Sequence, residues 1–441
     1  MRHAATPFDL LTGRLSRHGT FRRLLLGQVG SAFGGQIGAL AIPTIAIVGL
    51  HAGAMEVGIL AALPWLPGLI LGIPIGVFID RVPRRAVMIG AEAGRWLVLA
   101  PLALVVLAHA VTLLHLYAAA LLTGVLGTVF DIAYQSFMPS TLAEDELLSA
   151  NSTVDVVKAP ALVGGPAAAG FLLSSIGPAA GLLANAGGSA ASLVSLLAIS
   201  DPTTDQKPGA KATGVLADLR DGVLLVARSP VLRAIATAGG VSNLGVFMFG
   251  SVSLLFAYRH LHLSPLLVGV VFAIGNLGYL FGAAVAPLWV RELGLGRTLA
   301  LSQLFLAISL FATPLAIFTM PVVLFAAAEL LQNVTSEVFN LNQVSLRQAI
   351  TPRALLGRMN ATVRVGIVGA IPLGTLLGGY LGTTLGVVPT MVIGAAITLL
   401  APLFVLAGPL IKVRTLARPE PVPQLSGQPA AAGLMAEPAR A

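Results

Sequence analysis

Residues 76–85, Gly-Val-Phe-Ile-Asp-Arg-Val-Pro-Arg-Arg, set one Asp and three Arg between two long apolar runs. Elsewhere the chain is oily. Only 10% of its 441 residues are charged and 56% are hydrophobic, and the mean hydropathy is +0.91. A soluble chain carries about a quarter charged residues. This one cannot cover a water-facing surface, so most of it must face a lipid bilayer. The charged decapeptide then reads as a connection between two membrane spans, and its neighbours become the first spans to be counted.

A spanning helix needs ~20 mostly apolar residues. Twelve segments meet that rule, near 24–49, 56–79, 86–108, 113–137, 152–176, 179–200, 232–257, 265–290, 298–318, 321–345, 361–384 and 387–411. Pro64, Pro67, Pro74 and Pro166 fall inside them, which neighbouring helices tolerate by satisfying the freed backbone groups. The first apolar stretch follows Arg14, Arg17, Arg22 and Arg23. It is too long for the ~7–15-residue core of a cleaved signal and reads as an anchored helix. All but three of the 26 Lys and Arg fall in the two tails or in connections after even-numbered spans. The exceptions are Arg259, and Arg95 and Lys158 within spans. Both termini are therefore predicted to be cytoplasmic. The excess of Arg over Lys, with abundant Ala and Gly, fits a bacterial source and hence the inner membrane.

Several function classes drop out. The net charge of +8 comes without aromatic-interleaved basic patches, so no nucleic-acid partner is predicted. With no cysteine there is no disulfide, thiolate metal site or cysteine nucleophile. His51, His109 and His115 have no metal-ligand spacing, and no Gly-Lys-Ser/Thr loop exists to hold ATP. No metal, no cofactor and no catalytic residue is predicted.

The longest polar interruption, Asp201 to Ser229, divides the chain. It opens as a flexible linker, DPTTDQKPGAKATG, and continues as VLADLRDGVLLVAR, whose spacing suits a helix along the membrane surface. The predicted organisation is an N-terminal six-helix half over 1–200, a cytoplasmic linker over 201–229, a C-terminal six-helix half over 230–417 and a disordered Pro/Ala-rich tail over 418–441. Sliding the chain by 209 positions aligns 13 of the 49 residues between Val129 and Gly177 with their counterparts, including Asn151/Asn360, Gly165/Gly374 and Gly170/Gly379. Two parallel halves around a central site is a transporter architecture.

The decapeptide resembles the signature between helices 2 and 3 of the major facilitator superfamily: a Gly, then Asp-Arg, then a basic pair, with Pro83 in place of the usual Gly. GGPAAAG, Gly164 to Gly170, resembles the Gly-Pro motif of that superfamily's antiporters and exporters, with Ala169 where Gly is usual. With FRRLLLGQVGSAFGGQ near one end and SLRQAITPRALLGRMNATVRVGIVGAIPLGTLLGGYLG near the other, the chain is similar to the bacterial drug and siderophore efflux branch. The resemblance implies an all-α integral membrane fold of twelve transmembrane helices in two pseudo-symmetric halves, working as a monomer. It implies a secondary active transporter exporting an amphipathic small molecule in exchange for protons. It also implies a cytoplasmic latch of Gly76, Asp80, Arg81, Arg84 and Arg85, supported by Glu92 and Arg95, and an antiporter-like motif of Gly165, Pro166 and Gly170. Gly76 is expected to permit close helix approach. One departure is Gln36, where many relatives carry an Asp.

In that arrangement helices 1, 4, 7 and 10 line the cavity. Ionisable groups inside a bilayer cost several kcal/mol and invite a functional reading. Asp131, Glu337 and Asp155 are the proton-coupling candidates, with Asp131 alternatively joining the latch and Asp155 alternatively paired with Lys158 at i+3. Asn333, Glu337 and Asn340 share one helix face. Asn333 and Asn340, with Gln28, Ser31, Gln36, Thr128, Tyr134, Gln135 and Asn243, are the substrate-cavity candidates. A facilitator or importer of a small solute is the alternative within transport. A membrane-embedded scaffold or enzyme is the alternative outside it.

Overall fold

The computed structural model describes residues 19–79, 81–141, 144–199, 215–352 and 355–413. Asp80, the linker stretch 201–214 and the tail 418–441 lie outside the described residues. Helix α1, Gly19–Thr44, runs on into a π-helical turn, Ile45–Gly49. Helix α2 comes in three pieces, Ala54–Ala62, Leu66–Ile70 and Gly72–Ile79. Then come α3, Arg84–Leu107, α4, Leu113–Thr141, α5, Glu144–Ser175, and α6, Pro178–Leu197. A linker helix, Val215–Arg228, leads to α7, Pro230–Leu255, which also ends in a π-helical turn, Phe256–His260. The rest are α8, Pro265–Leu293, α9, Leu295–Ala312, α10, Pro321–Ile350, α11, Leu356–Thr384, and α12, Val387–Leu406. Eleven of these are long and apolar enough to cross a membrane as single helices. The twelfth is α2, and the all-α two-half fold read from the sequence is the one found.

The continuous span expected over 56–79 is therefore corrected to a broken one. Proline lacks the amide that would bond four residues back, and its ring crowds that carbonyl. Pro64, Pro67 and Pro74 do this three times in eleven residues. Helix α4 seats against the first break: a Cβ added to Gly124 would lie 2.8 Å from Pro64 Cα. The linker helix turns Leu225 and Val226 into a small core with Met359 and Val363 of α11, so these two residues are covered by protein.

The two halves repeat in backbone detail. Six of the seven left-handed φ values among the described residues fall in pairs: His51 and His262 (56° and 51°), His109 and Met320 (54° and 40°), Gly177 and Gly386 (116° and 94°), with Gly294 (80°) alone. Each pair ends the same connection in its half, and the π-helical turns of α1 and α7 match in the same way. The chain enters α1 and leaves α12 at one end of the bundle, called here the terminal end. At the opposite, far end a single apolar core crosses between the halves, joining Leu60, Leu116 and Leu173 to Phe249, Phe256 and Phe325. Toward the terminal end the cores are separate. One gathers Phe21, Met88, Phe137 and Ile199, the other Ile235, Leu299, Leu346 and Leu410. The bundle is closed at the far end and parted at the terminal end.

Candidate transport site

The far closure is built twice, once per half. The Met55 amide donates to Thr383 Oγ1 at 3.1 Å, and the Leu266 amide donates to Ser174 Oγ at 2.9 Å. Met55 and Leu266 sit in the first turns of α2 and α8, where amides have no helical partner, and the hydroxyls come from α11 and α5 of the opposite half. One turn further in, the backbones touch. A Cβ on Gly58 would lie 2.8 Å from Gly379 Cα, and one on Gly170 would lie 3.0 Å from Gly269 Cα. Only glycine allows such approach. Arg259 adds bonds to the carbonyls of His51 and Ala52 at 3.0 and 2.6 Å, and Thr44 meets Tyr258 at 2.8 Å.

Halfway down, proline opens a bond for the other half. Pro166 has no amide to give to the carbonyl of Leu162, four residues earlier in α5. Asn276 Nδ2 of α8 supplies the hydrogen bond instead, at 2.7 Å. Asn276 Oδ1 in turn accepts from Asn333 Nδ2 of α10 at 3.4 Å. The antiporter-like stretch is thus wired to the polar stripe of α10. Gly165 meets the side chain of Gln36 on α1, so the residue replacing the usual Asp sits directly beside the Gly-Pro motif.

The α10 stripe is longer than the spacing argument had it. Glu329, Asn333 and Glu337 follow one another at four-residue intervals, facing Gly275, Gly278 and Gly282 of α8. A Cβ on those glycines would lie 2.8, 2.9 and 2.8 Å from the Cβ atoms of the three polar residues. Glu329 is buried, 5% exposed, and forms no hydrogen bond or ion pair among the described residues. It was absent from the sequence candidates, although it lies one turn from Asn333 on the same face and so was available to the same periodicity.

Glu337 lines a cavity of about 220 Å³ held within the C-terminal half. Asn243 and Ser242 of α7, Tyr279 of α8 and Gln303 of α9 form part of its wall, and Ser336, Asn340 and Gln343 of α10 the rest of its polar surface. Ser242 donates to Gln303 at 2.7 Å, Asn243 to the Ile367 carbonyl of α11 at 2.9 Å, and Gln343 Nε2 to Asn340 Oδ1 at 3.2 Å. Asn340 is exposed, so the cavity opens there, toward the terminal end.

The N-terminal half gathers a different set. Lys158 of α5 stands over the Tyr134 ring, 5.7 Å from its centre, and feels the charges of Asp131 and Asp155. Tyr134 stacks on Phe130 with 6.1 Å between centres. Asp131, Asp155 and Gln135 are exposed, unlike Glu329. Thr128 back-bonds to the Gly124 carbonyl at 2.9 Å, and Gln28 is buried on α1. Across the halves, Trp65 at the α2 break meets Phe247 of α7 edge-on at 5.9 Å.

The decapeptide's arginines hold helix ends within the N-terminal half. Arg84 donates to the Ser136 carbonyl of α4 at 3.0 Å, and Arg85 reaches the Leu196 and Leu197 carbonyls of α6, both at 3.1 Å. Cations there complement the negative helix end. Arg81 is exposed. Glu92 is fully buried and bonded by Ser31 at 3.1 Å, with Arg95 reaching Ser31 at 3.2 Å and Glu92 at 3.5 Å. Ser31 thus joins α1 to α3 and is occupied there. Gly76 has no atom within 4 Å of where its Cβ would be. The close approach expected of it is not made, because the halves are parted at its end of the bundle.

A family model described as a transmembrane secretion effector matches residues 14–431. The chain belongs to that family of major facilitator transporters. This transporter is 26% identical to the enterobactin exporter EntS of Citrobacter koseri, covering 93% of this chain and 96% of that one. It is 24% identical to the multidrug efflux pump Tap of Mycolicibacterium fortuitum, over 84% of this chain and 91% of that one. Its fold is that of a bacterial homologue of the iron transporter ferroportin in an inward-facing state, with a TM-score of 0.71 and 19% identity over 88% of this chain and 98% of that structure. This is a multi-pass membrane transporter and not an enzyme.

Proposed function

We propose that this transporter is a proton-coupled exporter of an amphipathic small molecule, set in a bacterial inner membrane with both termini in the cytoplasm and active as a monomer. The terminal opening is then the cytoplasmic mouth, where substrate enters. The observation that carries the reading is Glu329: a buried carboxyl with no cation partner among the described residues, one turn from Asn333, which bonds the Asn276 that holds Leu162 of the opposite half. A group whose charge is this costly to bury biases two conformations by whether it holds a proton. Protonation from the far side and release to the cytoplasm would drive the alternation. Asp131, on the opposite half and beside Lys158, is the companion acid. The likeness to an enterobactin exporter and a multidrug efflux pump, and the Gly165-Pro166 motif, favour export over import.

The test pairs strains with inverted vesicles. A panel of drug susceptibilities and siderophore secretion, comparing overexpressing and deleted strains, finds the substrate. Inverted vesicles with an acid interior should then accumulate it, and an uncoupler should abolish the accumulation. Uptake by intact cells with no extrusion would overturn the direction.

A further inference from the structure

We infer that the cavity between α7, α8, α9, α10 and α11 is a docking site for a protonated amine, the polar head of the transported molecule. This names the substrate class within the export reading and rests on it. Among the described residues, the wall holds no Lys, Arg or His. Its acidic group is the Glu337 carboxyl, which has no hydrogen-bond or ion-pair partner among the described residues. A second acceptor is spare: Gln343 is 5% exposed, and its Oε1 has no hydrogen-bond partner while its Nε2 is committed to Asn340. A buried acceptor without a donor is costly, and Gln343 Oε1 is one; Glu337 is part-buried and negatively charged when ionised. A ligand that brings positive charge and N–H groups answers both, and a carboxylate- or catecholate-bearing ligand answers neither.

Size narrows the class. About 220 Å³ is the space of roughly seven waters at ~30 Å³ each, below the ~300 Å³ at which pockets begin to enclose whole drug-sized ligands. The cavity takes a headgroup and leaves the remainder to extend past Asn340 into the terminal opening. Leu306, Phe339 and Ile367 line its apolar side and suit an aryl or alkyl group next to the amine.

Purified full-length protein in nanodiscs, titrated with three near-isosteric probes and no ion gradient, tests this. 2-Phenylethylamine should bind at least about tenfold more tightly than 2-phenylethanol, with phenylacetate weakest, since a charge-assisted bond is roughly twice as strong as a neutral one. Glu337→Gln should bring the amine down to the level of the alcohol. Gln343→Leu should weaken the amine about fivefold but leave its N,N,N-trimethyl analogue, which has no N–H, unchanged. Equal binding of amine and alcohol, a preference for the carboxylate, or an unchanged preference in Glu337→Gln would overturn the assignment. Because no gradient is applied, amine binding without vesicle accumulation would fault the export reading alone. Accumulation of an anionic substrate, with no amine binding, would fault the cavity assignment alone.

Discussion

Asn276 Nδ2 bonds the Leu162 carbonyl at 2.7 Å, the one carbonyl of α5 that Pro166 leaves without its amide. A proline usually weakens its own helix; here the vacancy is filled from the other half of the molecule. Asn276→Leu removes that donor and leaves a part-buried carbonyl unsatisfied, at a cost of about 1–3 kcal/mol in the far-closed state. The expected outcome is a shift of roughly fivefold or more toward far-end opening. The chain has no cysteine, so a single cysteine placed at Leu173, 8% exposed in the far-end core, reports the opening through its labelling rate with a membrane-impermeant reagent.

Gly170→Ala should act in the same direction and more strongly. Its new methyl would lie 2.5 Å from the Pro265 carbonyl oxygen and 3.0 Å from Gly269 Cα, and overpacking of this kind costs ~1–3 kcal/mol. Gly58→Ala is its mirror image, 2.7 Å from the Thr375 carbonyl oxygen. Each variant should show faster labelling of a cysteine at Leu173 and lose net efflux. A variant that labels at the wild-type rate and transports normally would mean the paired glycines do not hold the closure.

Glu329→Gln keeps the shape of the side chain and removes its charge. Gradient-driven efflux in inverted vesicles should fall at least tenfold, while substrate exchange without a gradient persists. Asp131→Asn should produce the same split if it shares the proton. Wild-type accumulation by both variants would dismiss these two acids as carriers.

Arg85→Ala removes two bonds to the last carbonyls of α6. These bonds lie toward the water-facing end of the helix, so the expected loss is modest, about 1 kcal/mol. A small drop in melting temperature with little change in initial transport rate should result. Arg84→Ala, which uncaps α4 beside Asp131, should instead slow transport.

The twelve spans and the repeat were legible because lipid imposes one rule everywhere: apolar residues for ~20 positions, with charge confined to the ends. Helix α2 was harder to read, since three prolines in an apolar run do not say whether the helix bends or breaks. That depends on Gly124 of α4 admitting the chain at Pro64. The site was read unevenly. Asn333 and Glu337 face α8 while Glu337 and Asn340 line one cavity; Pro166 and Gly170 meet Gly269 of the other half, and Gly165 meets Gln36 of its own. Glu329 escaped because it sits among aliphatic residues near the start of the stripe, with no polar neighbour beside it in the chain. Ser31 pointed to Glu92 and Arg95, a partnership across α1 and α3 that no single-helix pattern encodes. The bond between Asn276 and Leu162 joins residues 114 positions apart, and only the packing of α5 on α8 could reveal it.

The mirrored contacts at the far end bear on two unlike leaves. Helix α8 runs unbroken from Pro265 to Leu293, while its counterpart α2 is jointed at 63–65 and again at Leu71. A helix without a break there can leave its seat only by moving as a whole, pulling on the Asn276 bond and on the acid-bearing face of α10. A jointed one can lift its outer piece, from Ala54 to Ala62, while Pro64 stays wedged against Gly124. The exit would therefore unzip along α2 and α11 before α5 and α8 part, giving the departing molecule a lopsided slot on the N-terminal half's side of the mouth.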